Sequence, residues 1–177
     1  VVACCDSRVD PAILLHCKPG DLFVIRNVAA LVPAVTQASN PCSVMSAIEY
    51  GVKHLNVEHI VVMGHSHCGG IHGLMTPESI AGETYIQDWV SIASPALERL
   101  QAMTGDEDEK TRSRHCEEGA VLISLDNLLS YPWIAERVKN GQLKLHALYY
   151  DLSEGNLYRF SPDSEDFELL FHTIENP

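Results

Sequence analysis

Two short clusters hold most of the residues that could do chemistry. The first is Cys4-Cys5-Asp6-Ser7-Arg8, and the second is Gly64-His65-Ser66-His67-Cys68-Gly69-Gly70. Thiolate and imidazole are the donors zinc prefers. Cys4, His65 and Cys68 are therefore read as a zinc set holding one zinc per chain, with the glycines allowing a tight bend at the His-x-x-Cys turn. Three protein ligands leave a fourth position open, the mark of a catalytic rather than a closed structural zinc. Asp6 and Arg8 supply the other half. Two residues apart, they are expected to share one face of an extended segment, where the guanidinium can clamp the carboxylate. Two thiolates and a neutral imidazole cancel the charge of Zn²⁺, so such a centre polarises water less than a three-histidine site, whose bound water has a pKa near 7. An Arg-held acceptor would select and orient the hydroxide form. Asp6 has a second available role, as a fourth ligand that closes the site.

These clusters need elements to carry them. Each follows a short apolar run, Val1 to Cys4 and Glu58 to Met63, expected as buried strands, with Gly64 ending the second. Further strands are expected over Leu22 to Ile25, Leu143 to Tyr150 and Leu157 to Phe160. Helices are expected at Pro11 to Leu15, after Asn40-Pro41, from Gly69-Gly70, along Thr84 to Met103, over Arg112 to Leu129, and from Ile134 to Lys139, which Asn140-Gly141 closes. Short apolar strands alternating with helices indicate one α/β domain over residues 1–177, a mainly parallel central β-sheet flanked by helices. In open sheets of that kind sites gather beyond the carboxyl ends of the strands, which is where both clusters fall.

The chain has 177 residues, with 12 Lys and Arg against 24 Asp and Glu, a formal charge of −12. That balance argues against a phosphate-backbone binder, so no nucleic-acid partner is expected. No apolar run approaches bilayer length, so no membrane partner is expected and the chain reads as soluble. Six cysteines lack the spacing of a secreted disulfide scaffold and read as free thiols in a reducing compartment. That suggests the cytoplasm, with an organelle or microcompartment left open. The chain opens inside an expected strand without an initiator Met, and so reads as a fragment.

The two clusters resemble those of the β-class carbonic anhydrases, Cys-x-Asp-Ser-Arg followed some sixty residues later by His-x-x-Cys-Gly-Gly. Further matches are Gly20 to Asn27, Ala47-Ile48-Glu49-Tyr50, Ser124 to Leu128 and Gly141 to His146, so the resemblance spans nearly the whole chain. It implies reversible hydration of CO₂ to bicarbonate and a proton, by attack of zinc-bound hydroxide. It also implies a homodimer or larger homo-oligomer with the active site near the dimer interface, and an N-terminal helical arm upstream of Val1. Cys4, His65 and Cys68 are the implied ligands, and Asp6 and Arg8 the implied dyad. Phe23, Val28 and Tyr50 fall where the family lines its apolar substrate pocket, with Tyr50 open to contribution from a second copy. Cys5 replaces the usual Ser and is expected to pack on the opposite side of the strand. One subgroup binds regulatory bicarbonate with a Trp, an Arg and a Tyr. Arg26 and Tyr150 match, but Val1 stands at the Trp position, so no such site is expected and the Asp6–Arg8 pair should stay closed.

Plainer readings apply to the rest. His67 reads as a polar neighbour of the ligands, with a proton relay the lesser alternative. His16, His54, His59, His72, His115, His146 and His172 read as isolated. Cys17, Cys42 and Cys116 read as ordinary core or surface thiols, and the acidic stretch Gly105 to Lys110 as a solvated turn. Three rival functions remain open: a carbon disulfide or carbonyl sulfide hydrolase on the same zinc, a non-catalytic zinc-stabilised module, and a thiol redox protein built on Cys4-Cys5.

Overall fold

A computed structural model describes residues 1–38, 42–103, 105 and 108–172. In chain order the elements are β1 (Val2–Cys4), α1 (Pro11–Leu14), β2 (Ile25–Asn27), α2 (Ser43–Lys53), β3 (His59–His65), α3 (Gly69–Met75), α4 (Thr84–Val90), α5 (Ser94–Ala102), α6 (Glu109–Leu129), α7 (Pro132–Lys139), β4 (Lys144–Asp151), β5 (Asn156–Ser161) and β6 (Asp166–His172). They build one six-stranded sheet in the order β2-β1-β3-β4-β5-β6. The four strands β2, β1, β3 and β4 run parallel, and β4, β5 and β6 close the other edge as an antiparallel meander.

Strand β3 reads Ile60-Val61-Val62-Met63, an unbroken apolar run, because it lies between β1 and β4. Its even-numbered side chains Ile60 and Val62 join Val2, Ala147 and Tyr149 in a cluster with the buried faces of α2, α6 and α7. The odd-numbered Met63 packs with Ala3, Val9, Leu14 and Leu148 on the opposite face. A third cluster gathers Cys4 and Cys68 with Leu31, Ile71, Val90 and Leu100. The carboxyl end of the parallel strands is thus roofed by α3, α4 and α5.

Several expectations need correction. The second strand is Ile25–Asn27 rather than Leu22 to Ile25, since the chain joins the sheet only where Ile25 comes opposite Val2. Gly64 does not end β3: the strand continues through His65, and Gly64 and His65 pair with Tyr149 and Tyr150. The stretch Thr84 to Met103 is not one helix. A 3₁₀ turn at Ser91–Ala93 separates α4 from α5, where Pro95 has no N–H to continue the ladder. Helix α6 starts at Glu109, earlier than expected, because Asp108 Oδ1 accepts the Thr111 N–H at 2.7 Å and caps it. Strand β6 was not anticipated. Its apolar residues Leu169, Leu170 and Phe171 are consecutive, so no two-residue alternation marks it. The helix start at Asn40-Pro41 and part of the acidic stretch, Asp106 and Glu107, lie outside the described residues.

Candidate metal centre

Both clusters leave the sheet at the same edge, from neighbouring strands: Val2 pairs with Val62 and Ala3 with Met63. That register brings the Cys4, His65 and Cys68 donor atoms within 4.8 Å of one another, with all three residues buried. His65 Nδ1 lies 2.9 Å from the Ser66 carbonyl. A carbonyl only accepts, so Nδ1 carries the hydrogen and Nε2 keeps a free lone pair. Among the described residues Nε2 is the buried side-chain nitrogen or oxygen without a hydrogen-bond partner. An orphaned imidazole lone pair facing two thiols fits a metal ion better than any protein partner. The proximity of Cys68 pulls the Cys4 thiol below the ordinary thiol range, against burial, while the same proximity and burial push Cys68 up.

The bend that carries Cys68 depends on a close approach. A Cβ on Gly70 would sit 2.6 Å from Val28 Cγ1 and 3.1 Å from Ala29 Cβ. Val28 to Ala30 form a turn in which Ala29 and Ala30 take positive φ, 62° and 55°. Asn27 holds this strained turn by accepting the Leu31 N–H at 2.9 Å and donating to the Leu31 carbonyl at 3.0 Å. Trp89 Nε1 also donates to the Val28 carbonyl at 2.8 Å.

Asp6 and Arg8 are paired, but not through an extended segment. The strand ends at Cys4, and Asp6 Oδ1 accepts the Arg8 backbone N–H at 2.9 Å, so the side chains meet across a turn. Arg8 Nε donates to Oδ1 at 2.9 Å and Nη2 to Oδ2 at 2.6 Å. These contacts hold the Asp6 carboxyl well below the usual carboxylate range. Arg8 Nη2 reaches the His67 carbonyl at 3.2 Å, tying the first cluster to the second. Arg26 donates to the Cys4, Asp6 and Val9 carbonyls at 2.6, 2.8 and 2.5 Å and cinches the loop from beneath.

The expected pocket residues divide. Val28 packs against the cluster containing Cys4 and Cys68. Phe23 and Tyr50 do not join it. Their rings lie 6.2 Å apart near the start of β2, at the far end of that strand from Asn27, which pairs with Cys4. Phe23 lines a cavity of about 410 Å³ there with Val1, Ile48, Gly51 and His59, and Tyr50 is half exposed and stacked on His54. Cys5 is exposed rather than packed, because it lies past the end of β1 with its N–H on the Asn27 carbonyl. His59 and His146 are not isolated: ring nitrogens 2.9 Å apart join them across β3 and β4. His54 is stacked on Tyr50, and His172 bonds Asn156. His67 is exposed and bonds Ser153 Oγ at 3.2 Å.

One polar residue at the site was missed. Glu117, on α6, is 5% exposed, and its carboxylate accepts the Cys68 N–H at 3.0 Å and the Tyr149 hydroxyl at 2.7 Å. Burial pushes its carboxyl up, opposed by those two donors. A signal was available: Glu117 shares helical spacing with the buried Val121, Ser124 and Leu128, so a carboxylate stands on a core face.

The carbonic anhydrase family model matches residues 1–157. Beta carbonic anhydrase 5, chloroplastic, of Arabidopsis thaliana is 40% identical over 164 residues, covering 92% of this chain and 54% of that protein. Beta carbonic anhydrase 6, mitochondrial, of the same plant is 40% identical over 171 residues, covering 94% of this chain and 58% of that protein. The chain thus spans less than two thirds of the length of these curated relatives. Among solved structures, the β-carbonic anhydrase CcaA superposes with a TM-score of 0.89 at 30% identity, covering 95% of this chain and 81% of that one. A tetrameric β-carbonic anhydrase of Sordaria macrospora gives 0.71 at 30% identity, over 96% and 78%. With a family model spanning most of its length and a matching mostly parallel fold, the chain belongs to the β-carbonic anhydrase family.

Proposed function

We propose that the chain hydrates carbon dioxide reversibly to bicarbonate and a proton at one zinc held by Cys4, His65 and Cys68. The observation that carries this reading is the orphaned His65 Nε2 facing the two buried sulfurs of Cys4 and Cys68, with an arginine-held carboxylate, Asp6, two residues after Cys4. Zinc, when bound, supplies a Lewis acid that makes water a nucleophile near neutral pH. The chain's own residues do the rest. Asp6, ionised across the working range, accepts a hydrogen bond from the attacking oxygen's proton and so orients it. Arg8 occupies both Asp6 oxygens, which keeps the carboxylate beside the metal position rather than on it. With Arg26 committed to three backbone carbonyls, this pairing also supports the absence of a regulatory bicarbonate site. Val28 offers an apolar wall suited to a substrate without a net dipole. Phe23 and Tyr50 sit too far along the sheet to serve this chain's own centre, so they are assigned to the pocket of a second copy. A homo-oligomer follows from that assignment, and the description of the Sordaria macrospora relative as tetrameric supports it.

Among the described residues no helix is long and apolar enough to cross a membrane. All six cysteines are unpaired, which supports a reducing compartment, cytoplasmic or organellar. The test is stopped-flow CO₂ hydration on the purified protein with zinc counted in the same sample and Asp6→Ala as control. Turnover near one zinc per chain, lost in Asp6→Ala, supports the reading. Full zinc with no CO₂ turnover from about pH 7 to 9, a range spanning zinc-water ionisation, refutes it. Turnover of carbon disulfide or carbonyl sulfide by the same sample would then reassign the substrate.

A further inference from the structure

The Cys68 turn has little local reason to be rigid. It is followed by Gly69-Gly70, and α3 carries no side-chain cap at its start. An added Cβ on Gly69 would meet nothing within 4 Å, so no packing requirement explains that glycine. Arg8 holds the adjacent His67 carbonyl, but the Cys68 N–H itself is held from 49 residues away. Glu117 reaches from α6 to the Cys68 N–H, and its other oxygen is taken by Tyr149, which is 1% exposed on β4. Both contacts are donations to Glu117, so the carboxylate form satisfies both partners. The guanidinium of Arg114 lies 5.3 Å from the Tyr149 ring centroid. The result is a relay of fixed parts: β4 holds Tyr149, Tyr149 holds Glu117, and Glu117 holds the main chain of Cys68.

A buried carboxylate is a poor choice if core stability is the only aim. An apolar residue of similar volume would avoid the desolvation penalty, but it would leave the Cys68 N–H unpaired. Val121, one turn on, shows what the same helix face otherwise carries.

We propose that Glu117 is a positioning residue of the metal centre, pinning the Cys68 main chain so that its sulfur converges with Cys4 and His65. This rests on the zinc reading and adds a residue to it. Groups that orient metal ligands from outside typically change metal affinity by about 10- to 100-fold when removed. The test is the rate at which the zinc-loaded protein surrenders its metal to excess of a coloured chelator. Glu117→Ala should lose zinc at least about 10-fold faster than the parent. Glu117→Gln, which keeps an oxygen for the Cys68 N–H, should restore retention to within about 3-fold. Val121→Ala is the structural control. It loosens the same helix without touching the Cys68 N–H, so it should lower the urea midpoint and leave zinc loss near the parent rate. With cobalt in place of zinc, the visible absorption bands should shift in Glu117→Ala and not in Val121→Ala. Three results overturn the assignment: parent-like retention in Glu117→Ala, equally fast loss in Glu117→Gln, or equally fast loss in Val121→Ala. A parent protein that takes up no zinc overturns the metal reading and this assignment together. A zinc-loaded parent without CO₂ turnover overturns only the activity, and the relative zinc-loss rates still decide the role of Glu117.

Discussion

Gly64 lies between the core of β3 and the candidate ligand His65, and α6 presses directly on it. A Cβ at this position would lie 2.4 Å from Val121 Cγ2, with the Glu117 carbonyl and Tyr149 Cδ2 each at 3.8 Å. Carbon–carbon contacts settle near 3.5–4.0 Å, so Gly64→Ala creates an overlap of more than about 1 Å. Val121 is 2% exposed and β-branched in a helix, so it cannot rotate out of the way without adopting a poor rotamer. The backbone of α6 must move instead. Overpacking of this kind costs about 1–3 kcal/mol, and the depth of the overlap puts Gly64→Ala near the upper end. Val121→Ala alone removes two carbons, about 1.6 kcal/mol of transfer free energy at 0.8 per carbon, or roughly 2 kcal/mol with the residual cavity. Independent effects would sum to about 5 kcal/mol. In the double variant the alanine methyl occupies the space left by Val121 Cγ2, so the total should fall to about 2 kcal/mol, a coupling of about 3 kcal/mol in favour of the pair. Urea unfolding of the four proteins reads this directly. Zinc should be held at one saturating concentration throughout, because metal bound to the native state adds to apparent stability. Additivity to within about 0.5 kcal/mol would refute the argument, because it would mean that α6 does not approach Gly64 this closely.

Two further predictions concern charge. Arg8 is 53% exposed at its side chain and Asp6 18% exposed, so Arg8→Ala should leave stability little changed while lowering CO₂ turnover at least about 10-fold through lost orientation. The Asp6 pKa is depressed in the fold, so whatever stability the pair contributes is present above the unfolded value and is lost as pH falls through the folded one. Arg8→Ala should therefore gain no new acid limb between pH 6 and 8, since a released Asp6 titrates near 4. An acid limb there would show that Arg8 matters through ionisation rather than geometry. His146 has its pKa lowered by burial first, then by His59, Arg159 and Lys144. A depressed folded pKa means that stability is lost as pH falls below the ordinary histidine value of about 6.5. His59→Gln removes one source of that depression, so its urea midpoint should fall less than the parent's between pH 7 and pH 5. An equal or larger fall would refute the pairing.

The two clusters were legible in the sequence because each begins where an apolar run ends, and a strand followed by a turn is local information. Cys4, Asp6 and Arg8 lie within five positions, and His65 and Cys68 within four, so neither cluster needed a tertiary contact to be recognised. What joins them did. Adjacency of β1 and β3 was an assumption at the sequence level, and the pairing of Ala3 with Met63 supplies it. The aromatic pair tests the limit of this kind of reading. Phe23 and Tyr50 match by position and side-chain type, yet only the register, with Val2 opposite Ile25 and Cys4 opposite Asn27, shows that β2 runs away from them toward the ligands. His59 and His146 are separated by 87 residues and acquire a partner only through the β3–β4 ladder. Glu117 is the sharper case, since its charge on a helical core face was visible but its target was not. Rigidity at Cys68 requires a group fixed by regular elements outside the turn, and α6 and β4 meet that condition because α6 packs along the sheet and β4 is paired with strands on both sides. The ligand types are therefore a local property of two turns, whereas their convergence depends on the sheet register and on a helix whose own sequence names no metal.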